Sequence, residues 1–569
     1  MEKMAEARIF RPAEEVSLWG ALKEFLVHHA LSLSAVLLFL LLATFILWPV
    51  LILLVKSIYG PDGFTLKFYN TFVSKGYYYR SFFNTINLGI KTTVVCLVVG
   101  FCIAYMTTRG PVCFRKPLRI ISLLPLISPP YVFALSLIVL LGRSGVIVKA
   151  LQLNWNIYGY TGCVIAQTLA FLPLAYMMIE NSLTSLNPNI EDSAANLGAS
   201  EVKILRSIII PLLMPGFLKA ALVVFVMAVA EFGNVALLCG RTPFLAPDTY
   251  TMITGAEVNF NMASVLSMFL MLPCAIIFFV QHYVLKGKSY TTIVGKPVAA
   301  EPRHITPIIL IPFLTISFLA CFAVLATFGV ALIGSFTNIV GIDNSFTLRH
   351  VLSNKANAAI LNSVQMSGLS GIFGALIGIV LAYVIARGTF KGRVSLELLA
   401  LSGFAFPGTA MGIGYIMAFN KAPLLLTGTV AILVLSSAFR SLVVGVEAGI
   451  NKLQQLSVEV EEASFNLGAS TAHTFRKVVF PIIFPAFMYG FLYLFMRTMV
   501  TLSSVIFLAA PGYDLASIFI YDSAIWGNLG LACATTMKLI IVCGLCLLVL
   551  QVLSKWTGLS VTRSGGALE

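Results

Sequence analysis

Charge is what this chain of 569 residues lacks most: Asp, Glu, Lys and Arg make up only 11% of it, against about 25% in a soluble domain. With 59% hydrophobic residues and a mean hydropathy of +0.95, that scarcity excludes a water-soluble enzyme or binding module. Acidic residues are the scarcer sign, 23 against 37 basic, for a net charge of +14. The basic residues lie scattered in short loops instead of forming a stripe or tail, which argues against a nucleic-acid partner. The six histidines show no ligand spacing, so no bound metal is expected. Most of the ten cysteines fall inside apolar runs and read as small packing residues, not a disulfide framework. Cys543 and Cys546 spell C-x-x-C, but mid-run, with no His or carboxylate nearby. Also missing is any G-x-x-x-x-G-K-[ST] string. The nearest, Gly287–Ser289, has His282 where the first glycine should stand, so the chain carries no nucleotide-hydrolysing loop of this kind.

What the sequence has in abundance is long apolar runs from Leu31 to Leu553, each near the roughly 20 residues that cross a bilayer as a helix. They predict an all-α polytopic membrane protein with twelve spans near 31–55, 84–106, 120–141, 160–178, 217–238, 262–285, 306–335, 361–386, 398–419, 424–446, 486–509 and 531–553. The first run is too long for a signal-peptide core and stays as an anchor. An even number puts both termini on one side, and the loops of that side hold roughly twice the Lys and Arg of the other, which makes it cytoplasmic.

The chain also repeats itself. EDSAANLGAS at 191–200 returns as EEASFNLGAS at 461–470, and Gly198–Pro211–Pro215 is matched by Gly468–Pro481–Pro485. Upstream, Asn84 through Gly110 matches Asn362 through Gly388, and Pro129 maps onto Pro407. Two halves that both start and end in the cytoplasm are parallel repeats about an axis along the membrane normal, with a pathway expected between them. The expected units are a cytoplasmic tail (1–30), a first repeat (31–285), a polar linker (286–305), a second repeat (306–554) and a short cytoplasmic tail (555–569).

Both copies of the repeated string sit in long cytoplasmic loops, about 184–216 and 451–485. In each, an acid (Asp192, Glu462) opens a short helix, a glycine (Gly198, Gly468) suits a left-handed C-cap, and a second amphipathic stretch is predicted to stop at proline (Pro211, Pro481). This pattern, acid-A-A-x-x-x-G followed by an aliphatic and proline, resembles the EAA loop of permease subunits of bacterial ATP-binding-cassette importers. The second copy (Glu462, Ala463, Ser464) departs by one Ala-to-Ser, and the first has Asp192 and Ser193 where Glu and Ala are preferred. FPGTAMGIGYIMAFN (406–420), LTGT (426–429), SSVIFLAAPGYDLAS (503–517) and NLGLACA (528–534) extend the likeness to the fused, double-length ferric-iron type. 2-Aminoethylphosphonate and thiamine permeases share the architecture.

The resemblance implies a bacterial inner-membrane subunit that is not itself an enzyme. Two copies of an ATPase chain, holding ATP and Mg, would dock on the paired loops through Asp192, Gly198, Pro211, Glu462, Ala463, Gly468 and Pro481. A periplasmic binding protein would supply the cargo, ferric iron or, alternatively, an organophosphonate or another small solute. An ion-coupled secondary transporter is the competing class; it needs intramembrane carboxylates, and Glu231 is the one persuasive candidate.

Ionisable residues inside spans are costly and mark pathways by default. Glu231 and Arg497 fall at nearly equivalent places in the two halves, able to line or gate a pathway or to tie the halves as an ion pair. Arg440 could serve an anionic cargo, or snorkel to the cytoplasmic surface. Asn84 and Asn362 are expected to cap their helices, with cargo contact as the alternative role.

Overall fold

The computed structural model describes residues 30–152, 154–280, 305–388, 390–509 and 512–556. The expected N-terminal tail, the linker up to His304 and the C-terminal tail from Thr557 lie outside the described residues. The first half comprises α1 (Leu31–Ile58), α2 (Gly76–Thr108), α3 (Val112–Leu123), α4 (Val132–Leu141), α5 (Tyr160–Thr184), α6 (Pro188–Asn196), α7 (Glu201–Ala230), α8 (Leu245–Thr254) and α9 (Phe260–Phe279). The second comprises α10 (Pro307–Ser335), α11 (Asn354–Arg387), α12 (Arg393–Ala405), α13 (Gly408–Phe419), α14 (Val430–Ser441), α15 (Val443–Gln454), α16 (Val458–Asn466), α17 (Thr471–Val500), α18 (Ala516–Ile525) and α19 (Leu529–Trp556). Among the described residues ten helices are long and apolar enough to cross a membrane, α4 being counted on to Ala150, and twelve crossings result if the bent pairs α12/α13 and α14/α15 each count as one. Strand among the described residues is confined to two short antiparallel hairpins, Tyr59–Phe64 and Thr337–Phe346, each following the first helix of its half.

The apolar surplus is spent on two faces. In α1, Leu38, Leu42, Ile46 and Leu53 are buried, while Leu33, Val36, Leu37 and Leu40 are more than half exposed, as expected of a helix with lipid on one side. The first helix of each half packs on the other half. Tyr415 on α13 donates to the carbonyl of Phe45 on α1 (2.6 Å), and Ser136 on α4 donates to Thr327 on α10 (2.8 Å). The repeat turns Thr327 into Pro49 and Ser136 into Gly414. At Gly414 the chains come so close that a Cβ would stand 2.7 Å from the Pro49 carbonyl. Small residues likewise let helices touch inside a half: a Cβ at Gly490 would lie 2.9 Å from the Gly445 Cα, and the matching positions Ala220 and Ala175 are fully buried, as membrane helix packing favours.

Two expected boundaries move. The spans near 217–238 and 486–509 are the single helices α7 and α17, which begin in the loops and run through Pro211 and Pro481. A π-helical turn precedes each proline (Leu205–Ile209, Phe475–Val479). Widening the ladder by one residue accommodates the missing N–H and the ring, so proline does not stop the helix. Both helices end early, at Glu231 and Thr501, whose backbones are extended with nearly identical angles (φ −74°, ψ 127° and φ −73°, ψ 134°). At Pro407, the match of Pro129, the span expected near 398–419 is divided by a 110° bend between α12 and α13.

Candidate functional site: paired loops and an axial cavity

The two repeated loops fold alike. α6 is capped by Asn187, whose side chain accepts from the Asn189 N–H, and α16 by Ser457, which accepts from Glu459. Gly198 and Gly468 follow in the left-handed region at φ +81° and +84°, where a side chain is strained. Ser200 and Ser470 cap the next helix. Between cap and glycine, Leu197 and Leu467 stand 88% and 89% exposed, a matched pair of uncovered apolar tips. Asp192, Glu462 and Ala463 are exposed and lie inside α6 and α16 rather than at their starts, a correction to the expectation that the acids open these helices.

The acid that fastens each loop to the bundle is the residue before. Glu191 is buried and pairs with Arg109, just past the end of α2 (2.8 Å). Glu461 pairs with Arg387 at the end of α11 (2.6 Å), and Arg387 also donates to the carbonyls of Leu453 and Leu456. Both arginines belong to the repeated A-R-G or T-R-G string and both glutamates open the repeated loop string, so the signal was present but fell on the neighbouring acid.

Asn84 and Asn362 are not caps, because α2 and α11 begin eight residues earlier. Each donates to a carbonyl in its own half, Asn84 to Pro243 (3.1 Å) and Asn362 to Asp514 (3.0 Å). Next to them Thr85 and Ser363 accept from the N–H of Leu245 and Ala516. These matched bonds hold α8 and α18 against α2 and α11. They leave Asn84 and Asn362 outside the cavity described next.

That cavity brings Glu231, Arg440 and Arg497 together. Its walls are Val226, Met227, Ala230 and Glu231 from the first half, and from the second Phe404–Pro407 at the α12/α13 bend, Arg440, Ser441, Arg497 and Ser503. It lies on the axis relating the halves: Arg497 Nη2 meets Met227 Sδ at 3.7 Å, and the two residues are 270 apart in sequence, the repeat offset itself. Residues related by a two-fold can touch each other only near it. Glu231 Oε1 accepts from the backbone N–H of Gly233 (3.0 Å) and Asn234 (3.4 Å), capping the next short helix. Arg440 Nη1 donates to Thr501 Oγ1 (3.5 Å), so it points into the cavity and does not snorkel. Among the described residues no ion pair within 4 Å joins Glu231 to either arginine. The free space is about 30 Å3, room for one or two waters. Phe406, Pro407 and Ser503 fall in strings the sequence already set apart, whereas Phe404 and Ala405 carry no signal in their residue types and are placed at the cavity only by the bend.

Comparison with known proteins joins these observations. Residues 97–290 match the family described as binding-protein-dependent transport system inner membrane component. The ferric transport system permease protein FbpB of Actinobacillus pleuropneumoniae is 32% identical over 88% of this chain and 75% of its own length. The chain belongs to this permease family. A putative ferric transport system permease protein, FbpB 1, of Haemophilus influenzae is 32% identical over 84% of the permease and 78% of its own length. A putative 2-aminoethylphosphonate transport system permease protein, PhnV, of Salmonella choleraesuis is 27% identical over 38% of the permease and 82% of itself. The permease is thus a multi-pass inner-membrane transport subunit of double length.

Proposed function

We propose that this permease carries ferric iron from periplasm to cytoplasm, with both termini cytoplasmic, powered by two copies of an ATPase chain that hold ATP and Mg and dock on the two loops. A periplasmic binding protein presents the cargo on the opposite face. The reading rests on the ferric-transport relatives together with one structural observation, the duplicated loop geometry: two identical handles, each ending in an exposed leucine and each bolted to its half by a buried ion pair. Asp192, Gly198 and Pro211, with Glu462, Ala463, Gly468 and Pro481, form the handles. ATP binding closes the ATPases, the handles move with them, and the halves rock about the axis, shifting the population between inward- and outward-open forms. Glu231, Arg440 and Arg497 line the passage at the point of contact between halves.

The test is reconstitution of the full chain with its ATPase and binding protein in lipid vesicles. ATP-dependent iron accumulation that disappears when both loops are cut to short linkers is the expected result. Accumulation at the normal rate without the loops overturns the handle assignment, and uptake of 2-aminoethylphosphonate instead of iron favours the second reading, for which the positively charged cavity speaks.

A further inference from the structure

The charges around the axial cavity do not balance. Two guanidinium groups, Arg440 and Arg497, face one carboxylate, Glu231, in a wall otherwise made of apolar residues and serines. Arginine stays protonated in proteins, so the constriction carries an excess of positive charge in the interior of a membrane protein, where an uncompensated charge is costly and marks an ion or substrate path. Nothing in the wall consumes that excess. The single carboxylate is already engaged, its Oε1 accepting two backbone N–H groups. Each guanidinium offers five donors, and the bonds found are long ones to uncharged acceptors, 3.5 Å from Arg440 to the Thr501 hydroxyl and 3.7 Å from Arg497 to the Met227 sulfur. Two fully or almost fully buried side chains that adjoin the wall, Asn234, whose backbone N–H is bonded to Glu231, and Ser504, next to Ser503, also lack partners. The constriction is therefore rich in unspent hydrogen-bond capacity, and its donors outnumber its acceptors.

A bare trivalent cation fits this chemistry badly. It would meet a net positive wall with one half-used carboxylate, whereas planar guanidinium forks match carboxylate and phosphate oxygens in bidentate pairs. We infer that the species passing Arg440 and Arg497 is anionic and oxygen-rich: an oxyanion, either free or as the ligand that accompanies a ferric ion. The inference rests on the importer reading above. In the closed arrangement seen here the cavity is too small for such a species, and Met227 sits against Arg497 on the axis. Parting the halves removes that thioether and frees the guanidinium for the anion, so recognition and opening are the same movement.

The test uses the full chain with its ATPase and binding protein in proteoliposomes, supplied with radiolabelled iron(III) together with labelled phosphate, citrate or carbonate. Iron and one anion label are expected to accumulate together, with R440Q and R497Q each lowering both by about tenfold or more and R440K and R497K falling in between. Entry of a labelled anion without iron sustains the inference while refuting the ferric reading. Iron entering with none of the three labels overturns it, as does iron uptake at the unaltered rate by monodisperse R440Q and R497Q. The dual-label measurement on the unaltered chain decides the matter even where a variant fails to fold.

Discussion

Gly198 and Gly468 hold left-handed backbones just past α6 and α16, and a Cβ built on either meets nothing within 4 Å. The constraint is therefore the backbone alone, worth roughly 1–2 kcal/mol against an ordinary side chain. Gly198→Val or Gly468→Val should abolish coupled uptake with normal membrane insertion, whereas Gly→Asn, which tolerates this region, should keep most of it; transport at matched expression measures both. A different cost attaches to the bolts. Glu191→Gln or Glu461→Gln leaves a buried arginine without its counter-charge, a loss of about 3–5 kcal/mol, to be read as a lowered Tm in detergent. Replacing Arg109 and Glu191 together by Met should cost less than either single change. Arg387→Met should cost more than Glu461→Gln, because the carbonyls of Leu453 and Leu456 lose their donor as well.

Among the elements, the hairpin Thr337–Phe346 carries a titration outside the membrane spans. Asp343 accepts from the Asn338 side chain (2.7 Å) and the Ser345 N–H (3.1 Å), and these bonds hold its carboxyl below the usual carboxylate range. A depressed acid stabilises the fold above its unfolded value of about 3.9, and that contribution is lost as the pH falls through the lower folded value. Protection of the Ser345 N–H and the Asn338 side-chain amide, measured against their intrinsic exchange rates, should therefore fall in acid, and Asp343→Asn should remove that pH dependence. The π-helical turns before Pro211 and Pro481 are the other lesson at this scale. Proline followed by a polar-to-apolar change reads as a helix stop, yet a one-residue widening of the ladder carries α7 and α17 from the loop into the membrane without a joint. Each handle is thus continuous with a helix that lines the cavity, the mechanical link that transmission from loop to passage requires.

For the whole molecule the decisive contact is Met227 against Arg497 on the axis. A Met227→Cys/Arg497→Cys pair should be joined by a short bifunctional thiol reagent, giving a cross-linked peptide between halves by mass spectrometry and halting turnover; failure to cross-link would place these residues off the axis. Exchange of the first helices adds a second constraint, since α1 lies on α13 and α10 on α4. The halves are thus clasped by their first helices as well as meeting on the axis.

The membrane class, the spans, the repeat and the left-handed glycines were legible in the sequence, because apolar run length, self-similarity and the steric exception of glycine are local properties of the chain. The pairing of Arg109 with Glu191 and Arg387 with Glu461, the inward turn of Arg440, the tethering role of Asn84 and Asn362, and the gathering of Glu231, Arg440 and Arg497 around one cavity were settled only by the tertiary structure. Those depend on the 110° bend, on where α7 and α17 break, and on which half each first helix covers. A charge in a span announces that it needs a partner, but which groups the folded helices bring within its reach is a matter of packing across hundreds of residues.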